Sequence, residues 1–222
     1  MEIKVTLDDI RARAAHDGLT VTGWLHPAPE HGAPAGTETL LLLGYGGPEM
    51  WRVFSASPEA RDGARHPMDR WSKRVIEAIA REFDAEALFP FGGPPYQPFI
   101  RWTYAGEPVH QSRLGMSIHE TYGLWSGWRG ALALGRRMRT PPVIRGDHPC
   151  EPCHAPCRAA CPVGAFSDQG YDAAACRAHL NSGEGAACRG GGCLARRACP
   201  VGRDFAHSAE QAAFHLEAFR VA

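Results

Sequence analysis

The chain has 222 residues, 44% of them apolar, and its 24 basic side chains balance its 24 acidic ones. That is enough apolar material for one or two domains with full cores, and a net charge of zero gives no chain-level electrostatic footprint for nucleic acid. The opening MEIKVTLDDIRARA alternates charge with apolar residues and has no long hydrophobic run, so neither a secretory signal nor a membrane span is expected, and the expected location is the cytoplasm.

In chain order, residues 8–17 (DDIRARAAHD) read as a short helix with acids in its first turn, ended by Gly18. TVTGWLH (20–26) and TLLLLG (39–44) read as strands, the second apolar enough to be buried on both faces. The best helix is 67–83, PMDRWSKRVIEAIAREF, with Pro67 at its first turn and Trp71, Val75, Ile76, Ile79, Ala80 and Phe83 on one apolar stripe. EALFPF (86–91) is expected as a strand running into FGGPPYQPF, a stiff loop rich in Gly, Pro and aromatics. GMSIH (115–119) and GALALG (130–135) are two further expected strands around ETYGLWSGW. TPP (140–142) marks the expected boundary, giving an N-terminal domain over 1–140 and a cysteine-bearing domain over 141–222. HSAEQAAFHLEAF (207–219) fits a final helix, with Ser208 and Gln211 at capping-box spacing.

All eight cysteines lie from residue 150 onward: Cys150, Cys153, Cys157, Cys161, Cys176, Cys188, Cys193 and Cys199. The run CEPCHAPCRAAC (150–161) is followed by proline, and its spacing is close to the bacterial ferredoxin run that serves iron–sulfur clusters. Its ending repeats, as CPVGAF at 161–166 and CPVGRDF at 199–205. Two such endings suggest two cluster-binding halves, and eight thiolates are the number that two cubanes need. Soft anionic thiolates suit such clusters, and the Gly-rich SGEGAACRGGGC (182–193) would let backbone N–H groups approach cluster sulfurs. Zinc and disulfides are the alternatives. A single zinc ion is usually held by two separated ligand pairs, and a reducing compartment disfavours disulfides.

The cysteine module resembles the C-terminal ferredoxin part of epoxyqueuosine reductases and reductive dehalogenases. That resemblance implies two [4Fe–4S] clusters, one on Cys150, Cys153, Cys157 and Cys199 and the other on Cys161, Cys176, Cys188 and Cys193. The chain departs from the pattern in the spacings Cys153–Cys157, Cys188–Cys193 and Cys193–Cys199. Farther upstream, GMSIHETYGLWSGWRGALAL (115–134) is similar to the cobalamin-processing CblC family, through Gly115, Ile118, His119, Gly123, Trp125, Arg129 and Gly130. FPFGGPPYQPF (89–99) is similar to that family's proline- and aromatic-rich loop.

Together these resemblances imply an α/β (α+β) architecture, with a nitroreductase-like domain that binds cobalamin with its lower base detached and then a small ferredoxin-like domain. They mark Gln97, Gly115, Ser117, Ile118, His119, Gly123, Trp125 and Arg129 as candidate cofactor contacts, and His119 and Tyr96 as candidate catalytic groups. Tyr104 and Tyr122 are further candidate proton donors. Each has a plainer reading beside it: Trp125 and Trp128 as core aromatics, Arg129 as a carboxylate's partner, the glycines as turn residues.

The implied activity is an iron–sulfur, cobalamin-binding oxidoreductase that passes electrons to a corrinoid, for upper-ligand removal or cobalt reduction. Its expected partners are cobalamin or a small-molecule substrate and an external electron donor, with neither membrane nor nucleic acid. Reduction of a separate organic substrate is the next expectation. A dicluster electron-transfer protein without corrinoid comes from a different class. Epoxyqueuosine reduction is less expected, because the chain ends about twenty residues after Cys199.

Overall fold

The structure is a computed structural model, described here for residues 5–221. It is a mixed α and β fold. In chain order the first elements are α1 (Leu7–His16), β1 (Thr20–Leu25), β2 (Thr39–Gly46), α2 (Glu49–Ser55), α3 (Pro58–Arg61) and α4 (Pro67–Glu82). Then come β3 (Ala85–Leu88), α5 (Phe99–Gly106), β4 (Val109–Gln111), β5 (Ser117–His119) and β6 (Ser126–Leu134). The cysteine-bearing part contains α6 (Pro156–Ala159), β7 (Phe166–Ser167), β8 (Gly170–Tyr171), α7 (Ala173–Asn181), α8 (Ala186–Gly191), α9 (Leu194–Arg197) and α10 (Ala209–Val221). Among the described residues no helix is long and apolar enough to cross a membrane.

These elements form two compact units, and neither is a continuous piece of chain. One runs up to Pro108 and resumes over Gly127–Arg145; the other joins Val109–Ser126 to the residues from Gly146 onward. A cut at residue 140 therefore does not follow the compact units, because the 109–126 segment packs with the cysteines.

The first unit is built on a four-stranded sheet of order β1-β2-β6-β3, with β1–β2 and β3–β6 antiparallel. Successive strand residues face opposite sides, and in β2 Leu40, Leu41, Leu42 and Leu43 are all buried, so both faces of the sheet are covered. On one face Leu40, Leu42, Ala131 and Ala133 pack with Phe99 and Trp102 of α5. On the other, Gly130 stands so close to α4 that an added Cβ would lie 2.7 Å from Ile76 Cδ1. The apolar stripe of α4 is buried as its periodicity requires. Thr6 caps α1 through a capping box with Asp9, and Gly18 (φ 75°) follows the helix in the left-handed conformation that favours glycine. Strand β3 stops at Leu88, short of the expected 91, because Pro90 cannot donate to a ladder.

In the second unit, β4 and β5 form a hairpin with Val109 opposite His119. Its core holds Leu114, Ile118, Leu124, Cys157, Ala195 and Cys199. Helix α10 starts with half of the expected capping box: Gln211 N–H donates to Ser208 Oγ at 3.1 Å. The reciprocal bond is missing among the described residues, since the Gln211 amide is buried instead.

Candidate functional site

The Cys-Pro-Val-Gly endings adopt one local structure twice. Each follows a four-residue helix, α6 or α9. In the first, Ala160 N–H donates to Pro156 O and Cys161 N–H to Arg158 O, at 3.1 and 3.3 Å; in the second, Ala198 N–H donates to Leu194 O and Cys199 N–H to Arg196 O, at 3.0 and 3.2 Å. Both endings close on a left-handed glycine, Gly164 (φ 58°) and Gly202 (φ 68°). The two short helices pack against each other.

All eight thiols are free, and several of them influence one another. Burial pushes the Cys199 thiol up, and the sulfurs of Cys157, Cys150 and Cys153 add to it. Cys157 is likewise pushed up by burial, then by Cys150 and Cys153. Burial also raises Cys193, with Cys176 and Cys188 as the neighbouring sulfurs. Around the Tyr171 hydroxyl stand Cys176, Cys193 and Cys161. Cys157 and Cys199 thus share Cys150 and Cys153 as neighbours, and Cys193 has Cys176 and Cys188 beside it, while Cys150, Cys161 and Cys193 also pack on the one apolar cluster that holds Cys157 and Cys199. Crowded thiols resist becoming thiolates together, and a cationic centre among them would relieve that cost.

The backbone acts on several of these sulfurs. Ala165 N–H donates to Cys161 Sγ at 3.3 Å, and the backbone at Val201, at Ala195 and Arg196, and at Arg158 works against burial on the thiols of Cys199, Cys193 and Cys157 respectively. Such donors favour the anionic form of sulfur. Among the described residues, no three His, Cys, Asp or Glu side chains converge tightly enough to hold a single metal ion. Of the 182–193 glycines, two serve close packing on α7 and α10: a Cβ on Gly185 would meet His179 O, and one on Gly192 would meet Ala212 Cβ.

The 115–125 motif folds into the wall of this cysteine unit. His119 and Gly123 exchange two backbone hydrogen bonds, each 2.8 Å, and close a tight turn. Inside the turn, His119 Nδ1 accepts from the N–H groups of Thr121 and Tyr122, at 3.0 and 3.3 Å. The ring's proton is therefore on Nε2, and burial pushes its pKa down to about 4, so the imidazole is neutral. Gly123 (φ 58°) meets the second ending: a Cβ there would stand 2.1 Å from Val201 O, and one on Gly202 would stand 2.5 Å from Gly123 N. Tyr122 packs edge-on against Phe205, 4.9 Å between centroids. Trp125 is 2% exposed, with the Arg196 guanidinium 4.6 Å above its ring and His207 5.3 Å away. Ile118 is wholly buried.

The remaining candidates have settings of their own. Arg129, in the first unit, donates to Asp69 Oδ1 at 2.5 Å and to Ser72 Oγ at 2.9 Å, and sits over Phe91. Tyr96 is 65% exposed, in a loop with cis peptide bonds at Gly93–Pro94 and Pro94–Pro95. Gln97 is half-buried beside it, and Ser117 is half-buried in β5. Gly115 (φ 75°) has open space where a side chain would go.

Three residues that sequence reasoning passed over matter here: Arg196, which also donates to Leu124 O; His207, held neutral by burial that pushes it down to about 2; and Tyr171. The position of Arg196 was available as a signal, since it matches Arg158 ahead of the repeated ending. Neither a protein-family model nor a curated protein sequence matches the chain.

Proposed function

We propose that the chain is an iron–sulfur oxidoreductase that holds two [4Fe–4S] clusters and delivers their electrons to a base-off corrinoid, for upper-ligand removal or cobalt reduction. The observation that carries the cluster reading is the duplicated Cys-Pro-Val-Gly turn, in a compact unit that holds all eight free thiols. A cubane gives each thiolate its own iron corner, whereas a zinc ion draws all four ligands to about 2.3 Å of one point. Two groups of four thiols, as the resemblance implies, would suit the wider arrangement. The clusters would supply single electrons at low potential. The chain's own part is to hold the sulfurs, exclude water with Leu114, Ile118 and Leu124, and keep neutral groups such as His119 nearby. On this reading the first unit is nitroreductase-like and the second ferredoxin-like.

The corrinoid half of the proposal rests on the 115–134 and 89–99 resemblances, with Tyr96, Gln97, Gly115 and Ser117 retaining exposed surface for such a contact. A dicluster electron carrier without corrinoid is the second reading. It is favoured by the burial of Ile118 and Trp125 and by the pairing of Arg129, which give these motif residues packing roles. Anaerobic reconstitution with iron and sulfide, followed by metal analysis and absorbance spectroscopy with and without added cobalamin, tests both. About eight irons per chain are expected, with corrin bands that change on binding. Clusters without any effect on cobalamin would favour the carrier. A colourless, zinc-loaded protein would overturn the whole reading.

A further inference from the structure

A cavity of about 250 Å3 opens within the cysteine-bearing unit. Cys176 and Cys193 line it while Cys161 and Cys188 do not, so it lies beside those thiols and not in their midst. Its broad walls are rings, those of Trp125, Phe166, Tyr171 and Phe219, and contacts inside the protein hold them. Tyr171 lies flat on Phe166, opposite it in the β7–β8 hairpin, with 4.8 Å between centroids and 13° between planes. Asp172 N–H, bonded to Ala165 O at 2.8 Å, ties that hairpin down. The Arg177 guanidinium sits 4.9 Å from the Phe219 ring, and that of Arg196 sits 4.6 Å from Trp125. The carboxylates and guanidinium groups at the cavity are of one sign: Arg196 and Arg197 line it, and among the described residues no Asp or Glu does. Arg197 gives one N–H to Gly191 O at 2.7 Å, and a guanidinium has five to give and no atom with which to accept.

We infer that this cavity is a binding site for a small, flat, neutral ring bearing carbonyl oxygens, the chemistry of a quinone. Aromatic walls favour a flat conjugated occupant, which they can meet by offset stacking or edge to face. Arginines that only donate call for acceptor oxygens on its edge. The volume falls below the roughly 300–1,000 Å3 of sites for drug-sized ligands, so it admits one or two rings and is too small for a corrinoid. The neutral charge of the occupant rests on the two-cluster reading above: Cys176 and Cys193 as ligating thiolates would repel a second anion beside them. On that reading the ring lies against two ligands of one cluster.

The probe is tetramethyl-1,4-benzoquinone, whose methyl groups block the ring carbons that thiols attack. Equilibrium dialysis against the full chain, reconstituted with iron and sulfide, should show one saturable site. Leu216→Trp, which fills the cavity, should abolish binding. Arg197→Met, at an exposed position, should weaken it about tenfold or more, the worth of one charge-assisted hydrogen bond. Excess cobalamin should leave the binding unchanged. Absence of saturable binding, equal affinity in wild type and Arg197→Met, or displacement by cobalamin would each overturn the inference, and Arg197→Met decides if Leu216→Trp fails to fold. Binding that iron-free protein shows and iron-loaded protein loses would mark the cavity as the cluster's own space, and would overturn it too. Wild-type protein that takes up no iron and still binds the probe would refute the cluster reading alone and leave the site standing.

Discussion

Glu107 closes α5 with only 1% of its surface exposed, yet it carries a carboxyl group. Thr22 Oγ1 donates to it at 2.5 Å, and the Trp128 side chain also favours its charged form. Both influences favour the carboxylate, but burial outweighs them and pushes the group from 4.5 up to about 7. Folding therefore takes up a proton between those two values. The stability that comes with the protonated form is fully present below pH 4.5, and it is lost as the pH rises through about 7. An interval of that width, at about 1.36 kcal/mol per pH unit, corresponds to about 3 kcal/mol. Glu107→Gln removes the titration and keeps the shape and an acceptor oxygen for Thr22. Amide exchange in the buried strand β2, corrected for intrinsic rates, should show wild-type opening free energies falling relative to the variant's between pH 5 and 8, by most of that amount. A carbon-13 titration of the Glu107 carboxyl should centre near 7. Parallel stability curves, or a carboxyl titrating near 4.5, would refute the reasoning.

The second unit should respond to pH in the opposite sense, because His119 is held down to about 4 from 6.5: its contribution is present above pH 6.5 and lost as pH falls through 4, and His119→Gln should flatten that slope in acid unfolding of the metal-free protein. Gly123→Ala and Gly115→Ala share a left-handed backbone cost of about 1–2 kcal/mol, but an added Cβ at Gly123 meets Val201 O and at Gly115 meets nothing. Urea unfolding should therefore rank Gly123→Ala well below Gly115→Ala, and equal losses would remove the close approach as a cause. Arg129→Ala should cost about 1–3 kcal/mol through its lost bonds to Asp69 and Ser72, with iron content per chain unchanged by metal analysis.

Periodicity made much of the first unit readable. The stripe from Trp71 to Phe83 and the leucine run of β2 each admit one solution, because their spacing says which faces must be buried. Helix α5 was hidden: it begins at Phe99, inside a run whose prolines and aromatics carry no helical period. Strand β6 begins at Ser126, four residues ahead of the expected GALALG, since Ser126–Arg129 are only partly buried and do not alternate. The partnership of 109–126 with the cysteines was out of reach for a different reason. Periodicity identifies a buried face without saying which other segment covers it. Gly123 and Gly202 illustrate this: each stood out in its own motif, and only their spatial approach gives one reason for both. The cysteine spacing was legible as a resemblance, while the flat stacking of Tyr171 on Phe166 had no sequence signal, being set by where a short hairpin places the ring.

The interleaving of the two units bears on how the protein can be made. As the chain leaves the ribosome, residues 109–126 emerge before β6, so Leu114, Ile118, Leu124 and Trp125 are synthesised while every cysteine they will cover is still to come. The sheet of the first unit cannot acquire β6, which stands between β2 and β3, until residue 134 has emerged. Through that interval the hairpin carries apolar side chains with no surface to cover them, a state prone to aggregation. A fragment ending at residue 140 would make that interval permanent. Expression of the first unit alone is therefore better attempted with 109–126 replaced by a short polar connection between Pro108 and Gly127 than by cutting the chain after its last sheet strand.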